Sequence, residues 1–494
     1  MQERVMLIYP PGKLYQRGED RCQSNIDESA ANSIHACNDL GYAASVLRNK
    51  DYQVFLKDYQ TEGKRFQDVL KDVFSFRPDL VFLSITNGSI YRDIAFINQL
   101  VAAFQCRIVI KGAIFFDITL RHLEKLNLEH VDCCVGGEVE FIIGDLVDAL
   151  LRGAGRLEDI PGIVFKTTDG FQKTDFPFFC PDVDALPFPA RDLMNNALYT
   201  RPDTGETMAT ISVARGCPSQ CIYCLTPIIS GRRARCRSAD NVFREMEECY
   251  FKYEISSFFF KADTFTLDES FVCALCDKII QSELCGHIAF TANARADCVS
   301  PELLKKMKAA GCFMLAVGFE SGNDETLSKI KKGITVEKNL RAAQMIKAAG
   351  IPLFGFFMIG FPWETAAMIK ETEQLIHRIN PDFLELHIAM PFYGTQLYAA
   401  CAQAGVLSGS GFGYDYYAPN TTGTAFLSAK EVDTLKRGIL LRFYLRPRYI
   451  AGKMIKAAGR PRTVFNYIRY GVHLLKKNLF FGRKTDLGSG DQKA

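Results

Sequence analysis

The chain has 494 residues, of which 48% are hydrophobic and 23% are charged; this predicts two to four globular domains and excludes a disordered or fibrous protein. The formal net charge of +3 conceals a basic segment, 436–484, on an otherwise acidic chain. The 17 cysteines are spread over the whole chain, which argues against a disulfide scaffold and indicates a cytoplasmic location. The amino end lacks the features of a signal peptide, and no apolar run approaches the roughly 18 residues of a membrane-spanning helix.

Residues 1–155 alternate continuous apolar runs with segments of helical periodicity. Continuous apolar strands separated by helices indicate a parallel sheet that is covered on both faces. Five such units predict a Rossmann-like, doubly wound α/β domain, whose ligand lies beyond the carboxyl ends of the strands. The predicted strands are 5–10, 53–59, 80–86, 107–113 and 131–137.

A hairpin that turns at Asp169 and Gly170, followed by a proline-containing connector, occupies the predicted linker 156–200. A second alternation covers 201–400 and predicts a partial (β/α)6 barrel, with its reactive groups at the carboxyl ends of the strands. The last segment, 401–494, is predicted to be helical and basic. The predicted barrel strands are 208–215, 256–263, 288–295, 312–320, 352–360 and 383–390.

Three cysteines, Cys217, Cys221 and Cys224, lie in one short loop after the first barrel strand. Each thiolate can bind one iron of a cubane cluster and leave the fourth iron open, as a catalytic metal site requires. A structural zinc site is the alternative, but zinc takes four protein ligands in paired spacing, and the nearest further cysteine is Cys236. The spacing therefore predicts a [4Fe–4S] cluster.

This C-x3-C-x2-C loop, with Tyr223 before its last cysteine, resembles the signature of the radical S-adenosylmethionine superfamily. The resemblance implies that the open iron binds S-adenosylmethionine and that an electron from the cluster cleaves it to a 5′-deoxyadenosyl radical. Motifs that close the later barrel strands resemble the cobalamin-binding branch, and the resemblance covers residues 1–400. These motifs are F-K-A-D-T-F from Phe260, N-A-R from Asn293, G-F-E-S-G from Gly318, G-F-P-W-E-T from Gly360 and P-F-Y-G-T from Pro391.

The resemblance also implies which residues surround S-adenosylmethionine, although it assigns no catalytic side chain. Glu320 is expected to accept hydrogen bonds from the ribose hydroxyls, and an ion pair with a barrel residue such as Arg295 is the alternative. Asp263 and Arg295 are expected to bind the aminocarboxylate group or the substrate. Tyr223 is expected along the adenine, and Asn293 is expected beside the cofactor at the end of the third strand.

A doubly wound domain placed before such a barrel resembles the cobalamin-binding domain of that branch. The resemblance places Gly137 and Glu138, after the fifth strand, and Ser84 and Gly112, near the ends of the third and fourth strands, at the cobalamin. The chain departs from the pattern in two ways. It has no D-x-H-x-x-G motif to offer a lower cobalt ligand, as in many members of the branch, and Lys111 replaces the first glycine of the usual pair. A lysine there either crowds the pocket or reaches a corrin amide or phosphate, and a domain that no longer binds cobalamin is the alternative.

Residues 436–484 carry fourteen Lys and Arg and no Asp or Glu, which leaves 45 basic and 56 acidic residues for the rest of the chain. The basic residues alternate with Phe, Tyr, Leu and Ile at helical spacing, a pattern typical of an amphipathic helix on an anionic membrane. The sequence favours packing of these helices on the barrel, with their charged groups in water, and membrane contact is the alternative. Nucleic-acid binding is not expected, because one basic tail on an acidic body is a weak sign of it.

Together these features predict a cobalamin-dependent radical S-adenosylmethionine enzyme that methylates an unactivated carbon atom or a phosphorus atom. The first alternative is a cyclase, oxidoreductase or other rearranging enzyme of the same branch that transfers no methyl group. A methylthiotransferase ranks lower, because the N-terminal cysteines lack the pattern of a further cluster. The expected partners are a small-molecule or lipid-like substrate and an electron donor such as flavodoxin or ferredoxin, and the alternative of membrane contact adds, through 436–484, the inner face of a membrane.

Overall fold

A computed structural model describes residues 2–17, 34–116, 123, 126–175, 179–407, 422–459 and 461–480. The N-terminal sheet has seven strands in the order β2-β1-β3-β4-β5-β6-β7, of which the first five are parallel and the last two form an antiparallel hairpin. The predicted hairpin therefore extends this sheet. The strands are β1 (Arg4–Tyr9), β2 (Gln53–Asp58), β3 (Leu80–Ser84), β4 (Arg107–Lys111), β5 (Cys133–Val135), β6 (Ile163–Thr167) and β7 (Gly170–Lys173).

Helices cover both faces of this sheet, which confirms the doubly wound fold. In β1 the side chains of Val5 and Leu7 join one apolar core, and those of Met6 and Ile8 join the other. This alternation is the two-residue period of a strand buried on both faces. Helices α1 (Asn38–Arg48) and α4 (Val139–Val147) pack on the first core, and α2 (Phe66–Phe76) and α3 (Ile90–Ala103) pack on the second.

The second sheet has six parallel strands in the sequential order β15-β14-β13-β12-β11-β8, as the predicted partial barrel requires. A short antiparallel pair, β9 and β10, lies between its first two strands in the chain. The strands are β8 (Met208–Ser212), β9 (Ala214–Arg215), β10 (Arg235–Cys236), β11 (Ser257–Lys261), β12 (Ala289–Arg295), β13 (Cys312–Glu320), β14 (Leu353–Ile359) and β15 (Phe383–Ile388).

The barrel helices begin where the sequence offers capping residues. The hydroxyl of Ser300 accepts the backbone N–H of Leu303, and that of Thr335 accepts the N–H of Lys338, so each satisfies a donor that the helix leaves open. The helices of this region are α5 (Thr226–Ile229), α6 (Ala239–Tyr253), α7 (Glu269–Gln281), α8 (Pro301–Ala309), α9 (Asp324–Lys329), α10 (Val336–Ala348), α11 (Ala366–Ile379) and α12 (Gln396–Gln403).

Three helices, α13 (Ala429–Tyr444), α14 (Pro447–Lys456) and α15 (Pro461–Phe480), follow the barrel, as predicted. Helix α13 buries one apolar face, including Phe443, against the barrel. None of the described helices is long and apolar enough to cross a membrane. Residues 460 and 481–484 of the predicted basic segment lie outside the described residues.

Candidate active site

The three predicted cluster ligands lie in the loop that connects β9 to α5, at the carboxyl end of β8. Cys217 and Cys221 are buried, and Cys224 is half-buried. Gly216 opens the loop with a φ of +84°, and a Cβ atom on it would lie 2.2 Å from the carbonyl oxygen of Arg233. The loop can follow this path only with glycine at that position, because an L side chain would clash and would be strained.

Asp263, which follows β11, holds this loop from the neighbouring strand. Its carboxylate accepts the Gly216 N–H at 2.6 Å and the Thr226 hydroxyl at 2.9 Å. The backbone N–H of Thr226 in turn lies 3.4 Å from the sulfur of Cys224. Asp263 thus positions the cysteine loop, a role that the sequence analysis missed, and its predicted contact with a cofactor or substrate stays a prediction.

The thiols suit a metal cluster. Burial raises the pKa of Cys224 to about 11, so this sulfur needs a bound cation to become a thiolate at neutral pH. Among the described residues, no three His, Cys, Asp or Glu side chains are placed to hold a single metal ion. A cubane does not require such convergence, because each thiolate binds a different iron.

Arg295, at the end of β12, lies beside the loop. Its guanidinium donates two hydrogen bonds to Asp297, at 2.9 Å each, and one to the carbonyl oxygen of Lys332 at 2.7 Å. The Nη1 atom faces the sulfur of Cys221 at 3.8 Å. A fixed positive charge therefore lies next to one cluster ligand. Asn293 shares this inner face of the strand with Arg295, because Ala292 and Ala294 point into the helix-covered core.

Glu320 ends β13 and forms a buried ion pair. Its Oε1 atom lies 2.7 Å from the ammonium group of Lys332, which also lies 3.5 Å from the Tyr223 hydroxyl. The ion pair that was the alternative for Glu320 is formed, but with Lys332 and not with Arg295. Burial, followed by the negative charge of Glu320, raises the pKa of Tyr223 well above its ordinary value, so its phenol stays protonated. Tyr223, Glu320 and Lys332 form one polar group beside the cysteine loop.

Two carboxylates after β5 connect the N-terminal domain to the cysteine loop. Glu138 pairs with Arg235 through two contacts of 2.7 and 2.6 Å and accepts the backbone N–H of Cys180 at 3.0 Å. Glu140 pairs with Arg215, directly before Gly216. Gly137 and Glu138 were predicted to lie at cobalamin, and the structure places Glu138 in this interdomain ion pair.

Lys111 and Gly112, at the end of β4, face protein groups. The Lys111 ammonium group is buried and lies 3.7 Å from a carboxylate oxygen of Asp39 at the start of α1. A Cβ atom on Gly112 would lie 3.1 Å from the Ile85 side chain. Lys111 therefore has a charge partner within the domain, and packing against Ile85 already explains the glycine.

The edge of the sheet at Ser84 is also covered. The side chain of Arg17, which is 2% exposed, donates to the carbonyl oxygen of Ser84 at 3.1 Å and forms an ion pair with Asp93 at 2.7 Å. The described structure thus does not bring Ser84, Gly112 and Glu138 together around one open pocket. Their contacts with cobalamin stay predictions.

A cavity lies between the two domains instead. It is lined by Tyr9 at the end of β1, by residues after β2, and by Thr210 and Lys261 of the barrel. The side-chain oxygens of Asn38, Thr61 and Thr210 are buried without hydrogen-bond partners among the described residues. Buried polar atoms are normally paired, so these three fit a polar ligand or ordered water. The enclosed volume of about 20 Å³ is room for one water molecule and is far smaller than a corrin. The described residues therefore form no open corrin pocket, and the position of cobalamin stays a prediction.

Comparison with known proteins agrees with this geometry. Residues 211–376 match the family model of the Radical SAM superfamily. An uncharacterized methyltransferase of Pyrococcus horikoshii is 29% identical over 422 residues, which are 85% of this chain and 90% of that protein. The anaerobic magnesium-protoporphyrin IX monomethyl ester cyclase of Rubrivivax gelatinosus is 23% identical over 366 residues, which are 73% of this chain and 65% of that protein.

The solved structure of the cobalamin-dependent S-adenosylmethionine radical enzyme OxsB, with aqua-cobalamin and S-adenosylmethionine bound, has a TM-score of 0.72 at 16% identity. The match covers 97% of this chain and 72% of OxsB. Residues 211–376 form a radical S-adenosylmethionine domain, and a [4Fe–4S] cluster and S-adenosylmethionine are the cofactors of that superfamily. The two-domain fold of the chain is the fold of the cobalamin-dependent enzyme OxsB.

Proposed function

We propose that this enzyme is a cobalamin-dependent methyltransferase that acts on a carbon or phosphorus atom. The observation that carries the proposal is the contact between the carboxyl edge of the first sheet and the β9–β10 pair that flanks the cysteine loop, made by Glu138 with Arg235 and by Glu140 with Arg215. A ligand held at that edge lies beside the cluster, as a methyl donor for a substrate radical must. When bound, the cluster supplies the electron that cleaves S-adenosylmethionine, and cobalamin supplies the methyl group.

In this proposal the residues of the chain bind the cofactors and orient them. Cys217, Cys221 and Cys224 hold three irons, and Asp263 fixes their loop. Glu320 accepts the ribose hydroxyls, and Lys332 holds its carboxylate in place. These groups are preorganised by burial, so binding of S-adenosylmethionine requires little rearrangement. Arg295, Asn293 and Tyr223 complete the proposed cofactor site; Gly137, Glu138, Ser84 and Gly112 stay proposed at the cobalamin side, with Lys111 as their neighbour.

The relatives support methyl transfer over the alternative. The Pyrococcus relative, whose match covers the larger shares of both chains, carries a methyltransferase name. The Rubrivivax relative is a cyclase, so ring formation without methyl transfer remains the second candidate. A methylthiotransferase ranks below both. Cys133 and Cys134 are buried in β5, and the thiol of Cys37 contacts the Tyr199 hydroxyl at 3.2 Å, so these cysteines are engaged in the core.

The proposed substrate is a small or lipid-like molecule. Lys261 on β11 and His387 on β15 face the inside of the barrel, because their strand neighbours Phe260, Leu386 and Ile388 belong to the helix-side core. We propose that these inner residues contact the substrate and that an external flavodoxin or ferredoxin supplies electrons. We also propose that 436–484 contacts the inner face of a membrane.

The test is anaerobic reconstitution of the full chain with iron, sulfide and hydroxocobalamin, followed by visible and EPR spectroscopy and mass analysis of turnover products. We expect one [4Fe–4S] cluster, one corrin and production of 5′-deoxyadenosine. A protein that binds the cluster but no corrin would disprove the methyltransferase proposal and leave the radical step standing. Cys221→Ala should lose the cluster and 5′-deoxyadenosine, whereas Cys285→Ala, an exposed cysteine remote from the loop, should keep both.

A further inference from the structure

An apolar stripe is exposed on α15. The side chains of Phe465, Ile468 and Val472 are 64%, 53% and 44% exposed. They lie three, four and seven residues apart, so they share one face of the helix. The opposite side of the helix is anchored to the protein: Asn466 donates to the carbonyl oxygen of Asp203 at 3.1 Å. The stripe is therefore an outward face of a helix that is docked on the molecule.

Helix α14 also exposes apolar and basic side chains. Ile455 is 74% exposed and lies seven residues from the exposed Arg448, so both belong to one face. The other side of α14 is fixed to the barrel, because Lys453 and Lys456 form ion pairs with Asp382 at 3.3 and 2.9 Å. We define the α14–α15 face as the exposed side chains Arg448, Ile455, Phe465, Ile468, Arg469 and Val472.

Basic charge exceeds acidic charge around this face. The segment from Lys436 to Thr485 holds fourteen Lys and Arg and no acid, and the barrel acids Glu373 and Asp382 offset only a part of it. A groove beside the stripe is lined by Arg462 and Arg469 together with Asn466, whereas Arg201 in the same groove is already paired with Asp203 and Glu206. Guanidinium groups in such a groove suit phosphate oxygens.

We propose that the α14–α15 face docks on an anionic phospholipid bilayer. An exposed apolar stripe flanked by basic residues fits the boundary between acyl chains and headgroups, where apolar side chains enter and Lys and Arg contact phosphates. A protein partner with an acidic surface would match the basic charge of this face. It would also need a separate pocket for each large apolar side chain, which a bilayer does not require. This inference names the surface and the lipid class of the proposed membrane contact, and it is independent of the radical reaction.

The orientation follows from the anchors. Asp382 directly precedes β15, and Asp203 precedes β8, so α14 and α15 lie at the amino ends of the barrel strands. The cysteine loop lies at the carboxyl ends. A docked enzyme therefore keeps its cluster loop away from the bilayer.

The test is co-sedimentation of the full chain with vesicles of phosphatidylglycerol and phosphatidylcholine, compared with vesicles of phosphatidylcholine alone. We expect binding to the anionic vesicles that weakens as salt rises. The double variant Phe465→Ser, Ile468→Ser should bind at least about tenfold more weakly, because it removes the inserted apolar groups. Phe251→Ser is the matched control, since Phe251 is 60% exposed on α6, outside the face, and it should bind like the unchanged chain.

Circular dichroism shows whether each variant is folded. Gel filtration shows whether its oligomeric state is that of the unchanged chain. Equal binding of the double variant and the control would overturn the proposal, as would equal binding to neutral and anionic vesicles. Failure of the unchanged chain to bind any vesicle, or its self-association through this face, would also overturn it. None of these outcomes depends on cluster, corrin or turnover, so they separate this inference from the proposed reaction.

Discussion

Glu320 and Lys332 form a buried ion pair with 2.7 Å between carboxylate oxygen and ammonium nitrogen. The two side chains come from the end of β13 and from the turn after α9, and both are less than a tenth exposed. Gly318 leaves the space for them, since a Cβ atom there would lie 2.4 Å from the Glu320 carboxylate. Glu320 also has a φ of +63°, an uncommon conformation for a residue with a side chain. Packing and backbone together therefore fix where this carboxylate points.

Replacing Lys332 with Gln should destabilise the protein and weaken the binding of S-adenosylmethionine. The variant leaves the Glu320 carboxylate buried without its cation, which costs about 3 kcal/mol of unfolding free energy. The carboxylate also loses the group that orients it. Chemical denaturation measures the first effect, and equilibrium binding of S-adenosylmethionine to the reconstituted protein measures the second.

The matched control is Lys329→Gln, which removes a solvent-exposed pair with Glu325 on α9. Such pairs contribute under about 1 kcal/mol, so stability and binding should stay near those of the unchanged chain. Unchanged cofactor affinity in Lys332→Gln would show that the pair has no part in the cofactor site.

Gly216→Ala should remove the cluster from a chain that still folds. The new Cβ atom would meet the carbonyl oxygen of Arg233, so the loop cannot keep the path that brings its three cysteines together. Iron content and the EPR spectrum after reconstitution measure the loss. Gly153→Ala is the control, because Gly153 has a similar φ of +65° but open space around its Cα. It should cost about 1 kcal/mol of stability and keep its iron. A Gly216→Ala protein with a full complement of iron would contradict the assigned geometry.

The ion pair between Glu138 and Arg235 should couple the two domains. Both side chains are buried, so Glu138→Gln or Arg235→Gln alone is expected to cost about 3 kcal/mol, and the double variant less than the sum. A double-mutant cycle by urea denaturation measures the coupling energy, which we expect above about 1 kcal/mol. The exposed pair of Arg48 and Asp192 serves as the control cycle and should give a smaller value. Equal coupling in both cycles would disprove the interdomain role.

The strands and the cysteine loop could be predicted from the sequence because their signals are local. A continuous apolar run of strand length, such as the one that forms β3, predicts a strand. A capping residue such as Ser300 predicts where a helix begins. The spacing of Cys217, Cys221 and Cys224 likewise lies within one loop.

The ion-pair partners were not predictable in the same way. Lys332 follows Lys331 directly, and nothing in the local pattern distinguishes the buried lysine from its exposed neighbour. Arg235 lies 97 residues from Glu138, so only the packing of two domains brings them together. Asp263 was correctly placed at the end of a barrel strand, but its role depends on which loop folds over it.

The contribution of Glu364 to the stability of the protein should fall as the pH rises from about 4.5 to about 7. This side chain follows β14, is fully buried, and accepts the backbone N–H groups of Gly360 and Phe361 at 2.7 and 3.1 Å. Burial outweighs these hydrogen bonds and raises the pKa of its carboxyl group to about 7. The folded state therefore holds a proton that the unfolded state has released, and this contribution to the unfolding free energy falls with pH over that interval by about 3 kcal/mol at most.

Glu364→Gln should flatten this pH dependence, because the amide stays neutral and its oxygen still accepts both N–H groups. Urea denaturation between pH 5 and pH 8, run on the unchanged chain and the variant, measures the two slopes. Glu337→Gln, at an exposed position on α10, should leave the slope of the unchanged chain as it is. Parallel slopes for the unchanged chain and Glu364→Gln would mean that Glu364 is ionised throughout this range, and that its two backbone donors stabilise the carboxylate more than burial destabilises it.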